Sequence, residues 1–121
     1  MNLQSVLLIA TIVCIVANAA IAVADYVGAP FVLANSAEVG VPRRAIAPLA
    51  TLKLAGALGL TAGLVALPGL GVAAGLGLIA FFVGAVAVHV RTRVLHNLAF
   101  PLAYLALAVL ATVHLVRIAT E

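Results

Sequence analysis

Four long apolar stretches alternate with short polar breaks along this chain. Within each stretch the apolar residues cover all faces of a helix rather than one, as in a segment solvated by lipid. A spanning helix needs about 20 mainly apolar residues at about 1.5 Å each. That spacing predicts helices over 3–24, 47–67, 70–90 and 95–116. Asp25, Gly28 and Pro30 end the first, and Pro48 is tolerated in the first turn of the second. Pro68-Gly69 makes a tight turn, and Arg91-Thr92-Arg93 closes the third helix. None of the stretches alternates like a barrel strand, so the spans are expected to be helical. The short turns make the last three helices antiparallel neighbours.

One longer connection runs from Tyr26 to Pro48. Its middle, Phe31-Val32-Leu33-Ala34-Asn35, is too apolar for a solvated linker. It reads as a loop folded back onto the bundle, with room for one helical turn. The expected fold class is all-α: a polytopic membrane four-helix bundle with short turns and one longer loop between the first two helices, in a single domain over 1–121.

Composition agrees with that pattern. The chain is 67% hydrophobic and 7% charged, with a mean hydropathy of +1.38, against about 25% charged residues in a soluble domain. The bilayer is therefore the first partner. The net charge of +3 does not signal nucleic acid, because the six basic residues are scattered and no aromatic patch interleaves them. They encode orientation instead. Arg43, Arg44, Arg91 and Arg93 fall on one side, and only Arg117 and the α-amino group on the other. The positive-inside rule then puts the arginine-bearing loops in the cytoplasm and both termini outside the cytoplasmic membrane. The single cysteine, Cys14, excludes an intramolecular disulfide, a Cys-x-x-Cys pair and an iron–sulfur set. Ala22-Val23-Ala24 resembles a signal cleavage site, but Met1 to Ser5 holds no Lys or Arg and the apolar run exceeds a signal core.

Polar residues inside such a chain are costly and therefore informative. Gln4, Thr11, Asn18 and Asp25 recur every seven residues, with Cys14 among them, and share one face of the first helix. Such a seam faces protein or a cavity, either as inter-helix hydrogen bonding or as part of a site. Lys53 lies about two turns inside the second helix. It either snorkels to the headgroups or faces inward beside the close helix contact that Gly56, Gly59 and Gly63 permit. His89 and His96 flank the last short connection, where each is either a helix-end cap or a proton-handling group. Asn97, Pro101, Tyr104, Ala108 and Ala111 form one stripe expected to face the bundle. His114 is expected at the opposite interface. Asn18, Asp25, Lys53, His89, His96 and Asn97 thus converge on one half of the bundle. No metal-ligand spacing occurs, and no histidine pair sits in mid-membrane for haem.

The chain resembles the DoxX-like family of small four-helix membrane proteins. The resemblance is carried by Phe31-Val32-Leu33-Ala34-Asn35, Gly40-Val41-Pro42, Lys53-Leu54-Ala55-Gly56-Ala57-Leu58-Gly59, Phe81-Phe82-Val83-Gly84-Ala85 leading to His89, and His96-Asn97-Leu98-Ala99-Phe100-Pro101. It implies a link to membrane redox complexes, since the family takes its name from subunits of a thiosulfate:quinone oxidoreductase. The lone cysteine speaks against thiol-disulfide chemistry here.

Three functions follow as expectations. In the first, the bundle binds a lipophilic small molecule, a bound quinone or similar, as a subunit of a membrane redox system with a partner subunit or further copies of itself. Asn18, Lys53, His89, His96 and Asn97 would be its ligand-binding residues, and no covalent cofactor is implied. In the second, it is an enzyme performing acid–base chemistry such as isomerisation, epoxide opening or cyclisation, with Lys53, His89 and Asp25 as candidate catalytic residues. In the third, it is a non-catalytic assembly factor whose polar seam meets a partner helix.

Overall fold

A computed structural model describes all 121 residues and contains five α-helices and no strands. They are α1 (Leu3–Tyr26), α2 (Pro30–Glu38), α3 (Ile46–Val65), α4 (Pro68–Arg91) and α5 (Ala99–Ala119). All but α2 are long and apolar enough to cross a membrane. The long connection is the main departure from the sequence expectation. It holds α2, a nine-residue helix, followed by a 3-10 turn over Arg43–Ala45, not a loop with a single turn. The last span begins at Ala99, because residues 96–98 are spent turning the chain.

Local chemistry sets these boundaries. The Asn2 side chain accepts the Ser5 amide at 2.8 Å and caps α1. Gly28 adopts φ +66° just beyond the end of α1, a left-handed conformation that costs glycine little. Pro30 then opens α2, where its missing N–H is no loss. Gly40, at φ +76°, ends that helix in the same way. Pro48 sits in the first turn of α3, where backbone amides have no intrahelical acceptor.

The four spans close into a ring in which α1 packs on α3, α3 on α4, α4 on α5 and α5 on α1. Small residues allow this. A Cβ added to Gly63 would lie 2.5 Å from the Gly71 Cα and 2.8 Å from Leu115, so α3 and α4 touch at backbone distance. Gly59 meets Ala74 along the same contact, and Gly75 of α4 lies against Thr112 of α5. Cys14, Leu60, Leu78, Phe82, Ala108, Ala111 and Leu115 form the tightly packed core. Leu60, Ala111 and Leu115 lie toward the end that holds the α3–α4 turn, and Cys14, Leu78 and Ala108 near mid-span. The opposite half, where α2 and the α4–α5 turn sit, is hollow.

Candidate functional site

The hollow half forms a cavity of about 900 Å³ that is open on one side. Its walls come from the C-terminal ends of α1 and α4 and the N-terminal ends of α3 and α5, with α2 lying over part of it. Fourteen of its 22 lining residues are hydrophobic, so the space is mainly apolar. Val32, Ile46, Leu49 and Phe82 are representative. The polar groups in the lining are few.

Lys53 points inward. Its Nζ lies 2.5 Å from Asp25 Oδ2, and the two side chains are only 12% and 6% exposed. No hydrogen-bond donor satisfies Asp25 Oδ2 in ideal geometry, so the ammonium is its partner as an ion pair. The same Nζ stands 5.6 Å from the centroid of the Phe81 ring, within cation–π range. Phe81 packs edge-on to Phe82 at 5.0 Å, and Phe82 lies 5.2 Å from Tyr104. An aromatic wall thus backs the buried charge. A buried charge in hydrocarbon is tolerated when paired, and here one carboxylate and one ring face meet the ammonium.

His89 is buried, and its Nδ1 lies 2.9 Å from the carbonyl oxygen of Ala85, one turn earlier on α4. A carbonyl only accepts, so Nδ1 carries the proton. In the neutral ring Nε2 is then left with a lone pair. Nε2 has no partner in the protein and is not sealed from contact. Tyr104 donates its hydroxyl proton to the Ala17 carbonyl at 3.2 Å, stitching α5 to α1.

Two polar contacts hold α2 over the cavity. The Asn97 amide donates to Asn35 Oδ1 at 2.6 Å. His96 Nε2 meets Glu38 at 2.9 Å. Apart from these, α2 stands off from the spans and its close backbone neighbour is the 3-10 turn that follows it.

Of the residues singled out in the sequence, Asp25, Lys53, His89 and Asn97 line the cavity together. Asn18 and His96 do not line it. Asn18 is fully buried in the bundle, where its amide donates to the Cys14 carbonyl at 2.9 Å and its Oδ1 has no partner. His96 is 64% exposed on the outer side of the tether to α2. The seam of α1 is buried at Thr11, Cys14, Asn18 and Asp25, while Gln4 is exposed. The stripe of Pro101, Tyr104, Ala108 and Ala111 faces inward as expected. His114 lies near the far end of α5, turned into the bundle. It is 4% exposed, because the last turns of α5 pack against the bundle.

Sequence reading does not single out Asn35, Ser36 and Tyr104 as cavity residues, nor the Asp25–Lys53 pairing. A signal for the pairing was available. Asp25 and Lys53 are opposite charges at the same end of neighbouring spans, and hydrocarbon tolerates such charges when they meet. No cluster of three His, Cys, Asp or Glu side chains could hold a metal ion.

The chain has no significant match among curated proteins or among solved structures. It does match the DoxX-like family over residues 9–111. That match takes in every residue lining the cavity, from Ile21 to Tyr104. A ring of four apolar spans with a hollow, mainly apolar end that holds a few polar groups is accordingly the form taken here by a membrane protein that belongs to the DoxX-like family.

Proposed function

We propose that this protein binds a lipophilic small molecule, quinone-like in having a compact polar head and an apolar body, in the cavity beneath α2. The cavity itself carries the reading. At about 900 Å³ it lies within the range of ligand pockets, and it combines an apolar lining with a few convergent polar groups. Lys53, Asp25 and His89 would face the head, and Phe31 and Phe100, both exposed to the surroundings and both lining the space, would flank the body. A redox role as a subunit of a larger membrane assembly is supported by the family resemblance. The proposed orientation places α2 and the cavity on the cytoplasmic side of the membrane, from the arginine count.

The test is what co-purifies. The protein extracted in mild detergent should release a lipophilic species on solvent extraction, detected by mass spectrometry at near-stoichiometric amount. Ala85→Phe, which fills the cavity from α4, should lose it while keeping the elution volume of the folded protein. Equal content of that species in parent and filled variant would overturn the reading.

One observation favours a second reading, acid–base catalysis on such a molecule. The unpartnered Nε2 of His89 shares the cavity with an ammonium that could stabilise developing negative charge. His89→Gln should then abolish turnover of the retained species without abolishing its retention.

A further inference from the structure

The polar groups of the cavity are not balanced between donors and acceptors. His89 spends its Nδ1 proton on the Ala85 carbonyl and presents Nε2 as an acceptor. Tyr104 spends its one proton on the Ala17 carbonyl, so its oxygen keeps only lone pairs. Asn97 gives one amide N–H to Asn35, and its own Oδ1 is buried with no donor at all. Lys53 is the strong donor of the lining; one of its three N–H groups meets Asp25, and its charge faces the Phe81 ring. The remaining donors, the Asn35 amide and the Ser36 hydroxyl, sit on α2 and are not sealed away, so water or headgroups can satisfy them. The inner walls therefore hold acceptors with no protein donor, and the buried one among them, Asn97 Oδ1, is costly to leave unfilled.

We infer that the head of the bound molecule is a hydrogen-bond donor, a hydroxyl of the phenol or hydroquinone class, and that His89 Nε2 accepts its proton in a hydrogen bond. This rests on the proposal that the cavity holds a lipophilic ligand. Within a quinone couple it favours the reduced member at the His89 position, because the oxidised head would set a carbonyl oxygen against His89 Nε2 lone pair to lone pair. The apolar lining accounts for the rest of the ligand. A molecule with the same body and no hydroxyl loses the one contact that the inner walls are arranged to make.

The experiment uses two probes with the same tail, 4-decylphenol and its methyl ether 4-decylanisole. They compete for the wild-type protein in detergent micelles, and the retained ratio is read by mass spectrometry. The cavity-filled Ala85→Phe protein gives the ratio due to micelle partition alone. Wild type should favour the phenol over the ether by about tenfold or more beyond that ratio. Equal retention of both, above the filled variant, would overturn the donor inference and leave the lipophilic-ligand reading intact. Retention of neither above the filled variant would overturn both. His89→Leu should bring the selectivity close to the micelle ratio while still retaining both probes. Persistent selectivity in His89→Leu would remove His89 as the acceptor. If that variant does not fold, the wild-type competition still decides the main point.

Discussion

Lys53 owes its inward position to Asp25. A long lysine stem near a helix end can lift its charge to the headgroups, and the sequence alone weighs that option evenly against burial. The carboxylate on α1 decides between them, with the Phe81 ring as a second contact. Removing the ammonium alone strands a buried carboxylate. Lys53→Met should therefore destabilise the protein by about 3–5 kcal/mol. Lys53→Met combined with Asp25→Asn should recover most of that loss, as measured by unfolding midpoints in detergent. A double variant no more stable than the single one would show that the pair does not act as a unit. Asn18 is the contrasting case. Its Oδ1 is buried without a partner, and its amide donates to a carbonyl one turn back on its own helix. Asn18→Leu has similar volume and removes the orphan acceptor, so it should be neutral or stabilising by about 1 kcal/mol. A clear loss of stability there would reveal a partner for Oδ1. Both residues were legible as unusual in the sequence. The partner of Lys53 was not, because it depends on which helix lies opposite.

At the level of elements, a close helix contact at Gly59 and Gly63 was readable from spacing, and the structure supplies α4 as the partner. Gly59 and Gly63 recur at one helix face, and both lie in close contact in the structure. Gly63→Leu drives a side chain into the Gly71 backbone and Leu115, and overpacking of this kind costs about 1–3 kcal/mol. Gly77→Leu is the control, since a Cβ there meets nothing within 4 Å. Equal thermal midpoints for the two variants would show that the seam is not tight. The α2 helix was the harder element. Its nine residues are short and only moderately apolar, and Gly and Pro punctuate both flanks, which reads as loop. Its position over the cavity depends on contacts with the α4–α5 turn, at Asn97 and His96. Asn97→Ala with His96→Ala should raise amide exchange in α2 selectively, leaving the α3–α4 seam protected. Unchanged exchange in α2 would mean that these contacts do not hold it in place.

For the whole molecule, the ring of spans puts α2, the α4–α5 turn and Arg43, Arg44, Arg91 and Arg93 at one end. The proposed orientation sets that end in the cytoplasm. In a Cys14→Ala background, an impermeant maleimide applied to intact cells should label Thr120→Cys and Gly69→Cys. Arg43→Cys and Thr92→Cys should react only after the membrane is opened. The reverse pattern would invert the orientation and put the cavity on the outside.

The class of the protein, its four spans and the inward stripe of α5 follow from the sequence by itself. They depend on local quantities: the length of each apolar run, the residues that break it, and the spacing of small and polar positions along one helix. The tertiary structure decided which charged groups meet, which polar residues reach a common space and which are absorbed elsewhere. Asp25 with Lys53, Asn35 with Asn97 and Glu38 with His96 are all pairings between separate elements. The hollow at one end is likewise a property of the ring. It exists because small residues draw α3, α4 and α5 together at the other end, and α2 covers part of the space that remains.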